Sequence, residues 1–310
     1  MNVLVAGGTG FVGRQLVEAL ARRGDVVTVV SRDPSLAQRS GVPGASYRGW
    51  LPPLDAYDAV VNLAGENLFG RRWNAQVKGR LRESRLSTTR RIVEAIATAQ
   101  DPPRVLVNAS AVGFYGDRGS EPLPESATPG TDYLAQLCRD WEGEAKQAPC
   151  RVVLARLGVV LGPGGGALKK MLLPFRLGIG GPIGLGRNYF PWIHRDDLVS
   201  LVLWTLDTEA VSGPVNAVSP GAVTNAEFSR VLGRVLHRPA FLPVPPPALR
   251  LAFGEVAAVL TASQRCVPDK AQRLGFRFRY PEIEAALADI VGRERPAAGA
   301  AGPMASPAKA

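Results

Sequence analysis

The chain has 310 residues, 46% of them hydrophobic, and a formal net charge of +10 at pH 7. That is enough to bury a large core, as one domain with an appended lobe or as two. Eight basic residues between Arg71 and Arg91 face a single acid, Glu83, so the charge is concentrated rather than spread over a nucleic-acid face, and no nucleic-acid partner is expected. No run of 18 apolar residues occurs, which excludes a spanning helix, and the first strand is too short and glycine-interrupted to be a signal peptide. The expectation is a cytoplasmic protein with no membrane partner. Cys138, Cys150 and Cys266 lack metal-type spacing, so free thiols and no metal site are expected.

The chain opens with an apolar run, Val3 to Ala6, followed by Gly7, Gly10 and Gly13 and then by an amphipathic run through Phe11, Val12, Leu16, Val17 and Leu20. This pattern predicts a strand, a tight turn and a helix. Gly7 permits the turn, Gly10 lets backbone approach a pyrophosphate, and Gly13 lets the helix pack on the strand. Thr9, Gly10, Phe11, Val12 and Gly13 surround the helix N-terminus, whose unpaired N–H groups suit phosphate. A dinucleotide site is expected there.

The second strand, Asp25 to Arg32, ends on Ser31-Arg32, where an acid about 20 residues past the glycines would bind the ribose hydroxyls of NAD. A hydroxyl and a guanidinium suit a 2′-phosphate instead, so NADP(H) is the expected cofactor. A solvated Arg32, with Asp33 supplying the acid, is the competing reading.

The next 25 residues contain Pro43, Gly44, Pro52 and Pro53 and predict a loop-rich connection without a full helix. Strands follow at 57–63, 104–109 and 151–157, and helices at 84–99 and 133–148, giving an α/β doubly wound parallel sheet of Rossmann-like type. Lys78, Arg82 and Arg85 share a helix face, fit for a nucleotide-bearing ligand or merely solvated. From Gly162, glycine-rich loops fit a substrate-facing lobe. Then come a helix at 196–206, a strand at 213–217, and helices at 225–236, 248–260 and 281–291. Expected domains are 1–220 for the dinucleotide and 221–292 for a small C-terminal substrate lobe, with a disordered Ala/Pro/Gly tail over 293–310.

Several further runs, Val61-Asn-Leu-Ala-Gly-Glu-Asn67, Arg72-Trp-Asn74, Ser84-Arg-Leu86, Ser110-Ala-Val-Gly-Phe-Tyr-Gly116, Leu173-Pro-Phe-Arg176, Pro191-Trp-Ile-His194 and Thr224-Asn-Ala-Glu-Phe228, join the glycine fingerprint. Together they resemble the extended short-chain dehydrogenase/reductases, in the atypical sugar-nucleotide-epimerase-like branch, from Met1 to about Val291. The resemblance implies a Rossmann-like domain with a small substrate lobe and nucleotide contacts at Ser31-Arg32, Leu63-Ala64, Arg80, Arg85 and Val160. Leu63 and Ala64 would lie against adenosine at a strand end, and Arg80 and Arg85 would neutralise phosphate. The Val160 N–H would meet the nicotinamide amide. Simple packing or a solvated face competes with each.

The family's chemistry implies a Tyr with a Lys four residues later, the Lys lowering the Tyr pKa for proton exchange. Here Tyr133 is followed at that spacing by Leu137, and the register anchored on Glu142 gives Leu134 and Cys138. Arg139 lies at neither i+3 nor i+4 from Tyr133. Four residues before Tyr115 stands Ala111, with Ser110 one position earlier, on the other strand face. The remaining proton-transfer candidates are Tyr115, Ser110 and His194, with Glu66, Asp196 and Asp197 behind them. Structural hydrogen bonding competes for the histidine and helix capping for the two aspartates. Two functions stay open: an NADP(H)-dependent oxidoreductase or epimerase on a small or nucleotide-linked substrate, and a non-catalytic NADP(H)-binding regulator. Labels tied to cell or plastid division on some family members fit the latter. A homodimer is left open.

Overall fold

The computed structural model describes residues 1–39 and 41–294. Seven parallel strands make the central sheet: β1 (Asn2–Ala6), β2 (Val26–Val30), β3 (Ala45–Arg48), β4 (Ala59–Asn62), β5 (Val105–Ala111), β6 (Arg151–Leu157) and β7 (Gly213–Ala217). Their spatial order is β7-β6-β5-β4-β1-β2-β3. The strands are short and rich in valine because both faces are covered, as parallel sheets require. Val3, Val5, Val27, Val29 and Val61 pack on one side with Leu16, Val17 and Leu20 of α1 (Phe11–Arg23). Leu4, Val60 and Leu106 pack on the other side with Ile92 and Ile96 of a long helix spanning Ala75–Thr98. Chain order reverses where β1 meets β4, and the loops leaving their carboxyl ends frame the crevice in which such sheets hold ligands.

The connection after β2 holds a six-residue helix, α2 (Pro34–Arg39), and the edge strand β3, which adds a seventh strand to the sheet. The long helix, α3, begins nine residues before the expected Ser84 because Asn74 caps it, its side chain accepting from the Val77 N–H at 2.8 Å. Helix α4 (Tyr133–Ala145) is capped in the same way by Asp132.

Helix α6 (Arg195–Asp207) packs on the sheet beside α1, and the remaining helices are α5 (Gly166–Arg176), α7 (Asn225–Leu236), α8 (Pro246–Phe253), α9 (Ala257–Thr261), α10 (Asp269–Arg273) and α11 (Ile283–Glu294). A second apolar cluster joins α5, α7 and α11. It draws Leu161, Leu168, Leu172, Phe175 and Trp192 from before residue 220 and Phe228, Leu232, Leu287 and Ile290 from after it. The lobe is therefore not one continuous segment: β7 returns to the main sheet between its two contributions. Helix α11 continues through Glu294, and the remainder of the expected tail lies outside the described residues.

Candidate functional site

The glycine loop closes on itself, the Gly10 N–H donating to the Gly7 carbonyl at 3.1 Å. Gly7 has φ +80°, and a Cβ there would stand 2.7 Å from the Leu63 carbonyl carbon and 2.9 Å from the Ala64 nitrogen. A Cβ on Gly13 would overlap the Gly7 carbonyl oxygen. These two positions need glycine because backbone meets backbone. The structure thus brings Leu63-Ala64 directly against the fingerprint turn. The Leu63 N–H is bound to Ala6 O and the Ala64 N–H to Asn62 Oδ1, so both residues are fixed in place. Asn62 is itself pinned in the core by Thr89 and Asn108.

Helix α1 has no side-chain cap at Gly10 and no acid in its first turn, so the N–H groups of Phe11, Val12 and Gly13 face outward with the positive end of the helix dipole. Thr9 and Gly10 are exposed beside them. The Phe11 ring is sandwiched between the Gly162–Gly166 loop and the Arg195 guanidinium, 4.7 Å from the ring centre. A bound pyrophosphate fits this cradle, where a Cβ or a capping carboxylate would exclude it.

At the end of β2, the Ser31 hydroxyl contacts the Asp33 carbonyl at 3.3 Å and the Ser31 N–H donates to the Arg48 carbonyl at 2.9 Å. Arg32 is exposed. Arg48, also exposed, sits in register with Val30, so Ser31, Arg32 and Arg48 converge at one strand end. Trp50, 64% exposed, follows on β3. Sequence reasoning missed Arg48 and Trp50 because it did not foresee β3; an Arg and a Trp directly after the Pro43-Gly44 turn were the available signal. Val160 lies in a short strand (Val159–Leu161) paired with Trp192–His194, half-buried beside the main core.

The basic helix face is largely satisfied within the protein. Lys78 pairs with Glu255 and Arg82 with Asp140. Arg85 donates to the carbonyls of Leu81 and Glu66, each at 3.0 Å, and lies over the Trp141 ring; burial lowers its pKa. Its role in the structure is to fasten the loop after β4, with Ser84 accepting the Glu66 N–H at 3.1 Å. Both backbone groups of Glu66 are thereby held, and its half-exposed carboxylate stands 3.9 Å from Arg80 Nε. That nitrogen is buried and has no hydrogen-bond partner among the described residues.

The three residues expected to react are all fully buried. Ser110, on β5, donates to Glu142 Oε1 at 2.8 Å, and the Arg156 fork binds the same carboxylate at 2.8 and 3.0 Å. Tyr115 donates to Asn216 Oδ1 at 2.6 Å and accepts from Arg156 at 2.9 Å; burial pushes its pKa up to about 12. His194 caps α6, its Nδ1 accepting the Asp196 N–H at 3.1 Å, with Nε2 3.3 Å from Asp289 Oδ2. Burial lowers its pKa, against the pull of Asp196, Asp289 and Asp197. Asp197 accepts the N–H groups of Arg279 and Tyr280. Ser110 and Tyr115 are thus engaged in a buried hydrogen-bond network and His194 in a helix cap, while His194 Nε2 is buried without a hydrogen-bond partner among the described residues. His194, Asp196 and Asp289 form the one cluster among the described residues with metal-like spacing. Arg293 pairs with both of its carboxylates, 3.0 Å from Asp196 and 2.9 Å from Asp289.

Neither register open for the expected Tyr and Lys, Tyr133 with Leu137 or Leu134 with Cys138, holds a lysine. Leu134 packs beside Gly113, and burial pushes the Cys138 thiol up to about 12. The Tyr133 hydroxyl donates to the Lys78 carbonyl at 2.8 Å.

Residues 3–218 match the NAD dependent epimerase/dehydratase family, and residues 244–290 match a domain of unknown function, DUF1731. The mouse epimerase family protein SDR39U1 is 42% identical over 299 residues, covering 94% of this chain and 100% of its own. The Bacillus subtilis epimerase family protein YfhF is 36% identical, covering 94% and 98%. The crystal structure of human SDR39U1 (isoform 2) with NADPH superimposes with a TM-score of 0.86 at 40% identity, covering 94% of this chain and 99% of that one. With its sheet, its fingerprint loop and nearly its whole length matched, the chain belongs to the NAD dependent epimerase/dehydratase family.

Proposed function

We propose that this chain binds NADPH at the carboxyl edge of its sheet and acts as an oxidoreductase or epimerase on a small or nucleotide-linked substrate in the adjoining cleft. The observation that carries the reading is the Gly7–Gly13 cradle against an uncapped helix N-terminus, beside Ser31, Arg32 and Arg48. Gly10, Phe11, Val12 and Gly13 would hold the pyrophosphate, and Ser31, Arg32 and Arg48 the 2′-phosphate. Leu63, Ala64 and Trp50 would flank the adenosine. The NADPH in the human relative supports this choice of cofactor. Bound NADPH would supply a hydride. Arg85 would act indirectly, by holding the loop that carries Glu66.

Proton exchange then needs a group that Tyr115, Ser110 and His194 do not offer. We assign it to Glu66, the carboxylate held at the crevice by two backbone bonds and neighboured by Arg80. Free cysteines and the absence of a membrane-spanning helix among the described residues fit a cytoplasmic setting.

A second reading, a non-catalytic NADPH-binding regulator, is favoured by the lack of a lysine in either register, Tyr133 with Leu137 or Leu134 with Cys138, that the family resemblance leaves for its reacting pair. One experiment separates them. NADPH is titrated by fluorescence, then its oxidation is followed with a panel of carbonyl compounds and nucleotide sugars. Turnover lost in Glu66→Gln with NADPH affinity unchanged supports the first reading. Tight binding without turnover across the panel supports the second.

A further inference from the structure

A surface outside the cofactor crevice exposes more apolar area than a folded chain requires. The 178–186 loop runs beside the 238–246 segment: the Gly184 N–H donates to Val244 O at 2.9 Å, the Val244 N–H to Pro182 O at 2.8 Å, and Arg238 Nε to Arg176 O at 3.1 Å. Leu173 and Leu177 of α5, Ile179 and Leu185 of the loop, Phe241 beside it and Leu251 of α8 are each between 57% and 80% exposed. None of the eight residues of α8 is buried, although its sequence is mostly apolar. Single exposed leucines are ordinary, but six on adjoining segments mark an interaction surface.

The charge around this surface is predominantly basic, with Glu294 and Glu255 at its margins. Lys169, Lys170, Arg176, Arg187, Arg238 and Arg250 are all exposed, and residues 162–190 and 228–254 contain no Asp or Glu. Arg176 is paired with Glu294 at 2.8 Å, and the other five have no ion-pair partner among the described residues.

We propose that this face docks peripherally on an anionic lipid surface, its apolar side chains entering the headgroup region and its cations meeting lipid phosphates. The apolar groups project from a loop, a seam and a short helix instead of lining a groove, which suits a fluid surface better than a folded partner. A second copy of the chain docking through the same face would set mostly cations against cations. No helix among the described residues is long and apolar enough to cross a membrane, so the contact is superficial. This departs from the expectation of no membrane partner, which rested on the lack of a spanning segment.

The test is co-sedimentation of the full chain with phosphatidylcholine vesicles with and without phosphatidylglycerol, at low and high salt. It is repeated with Leu177→Ser/Phe241→Ser and with Lys169→Glu/Lys170→Glu. The expected result is binding to the anionic vesicles only, weakened about tenfold or more by either double substitution and by salt. Far-ultraviolet circular dichroism confirms that the variants fold. The proposal is overturned by failure to bind anionic vesicles, or by binding that Leu177→Ser/Phe241→Ser leaves unchanged. It is overturned equally if soluble polyglutamate competes the chain off the vesicles while being held through the lysines alone, the behaviour of a site for acidic protein. Light scattering that shows a dimer, made monomeric by Leu177→Ser/Phe241→Ser, would also overturn it by assigning the face to a second copy.

Discussion

Glu142→Gln tests whether Ser110, Tyr115 and Arg156 form a structural network. Arg156 is 3% exposed, and Glu142 is its only ion-pair partner among the described residues, binding it through two hydrogen bonds. The substitution keeps the volume but removes the charge, leaving a guanidinium in the core with a neutral amide oxygen in place of the carboxylate, beside the Tyr115 hydroxyl and the Glu125 carbonyl. Breaking a buried pair from one side costs about 3–5 kcal/mol. Against a typical total of about 5–15 kcal/mol, that lowers the thermal midpoint on the order of 10 °C. Ser110→Ala removes one hydrogen bond to the same carboxylate and should cost about 1–2 kcal/mol. The assay is urea unfolding followed by tryptophan fluorescence, with NADPH titration of each variant under native conditions. Both variants should lose stability and keep NADPH affinity within about threefold. A Glu142→Gln protein as stable as the parent would refute the network. A Ser110→Ala protein of unchanged stability but without turnover would return Ser110 to the reaction.

Three further outcomes are expected. Gly13→Ala forces a Cβ into the Gly7 carbonyl, and because backbone cannot yield cheaply it should cost about 1–3 kcal/mol and weaken NADPH about tenfold or more, read from unfolding and titration. Burial lowers the His194 pKa in the fold, whereas the unfolded chain takes up a proton as pH falls through about 6.5. Its contribution is therefore full above that pH and is lost below it, by up to about 1.4 kcal/mol per pH unit; urea midpoints should fall between about pH 7.5 and 5.5, and His194→Asn, which retains a capping acceptor, should flatten that slope. Glu66→Gln should leave the NADPH dissociation constant within about threefold, because the Glu66 backbone rather than its carboxylate shapes the loop.

The sheet was legible because its signals are local. Val3 to Ala6 and the glycines that follow declare a strand, a turn and a helix within a dozen residues, and Ser31-Arg32 ends a strand of unbroken β-branched residues. β3 was not legible: four residues, Ala45 to Arg48, show no long alternation, and a proline-rich stretch follows them. Missing it concealed Arg48 and Trp50. The early start of α3 could have been read from Asn74, a good N-cap, but the basic residues after it drew attention to charge instead. Ser110 and Tyr115 looked reactive because hydroxyl groups near a strand end commonly are. Their partners Glu142, Arg156 and Asn216 lie 32 to 101 positions away, and only the folded sheet brings them together. The packing of Leu161 and Trp192 against α7 and α11 was not legible for a related reason, since no neighbouring residue announces it.

The most direct test of the account is calorimetric titration of the wild-type chain and Arg32→Ala with NADPH and with NADH. The account predicts that wild type prefers NADPH and that Arg32→Ala weakens NADPH about 10- to 100-fold, the worth of a hydrogen bond to a charged group, while leaving NADH nearly unchanged. Equal weakening of both nucleotides, or a wild type that does not distinguish them, would contradict it.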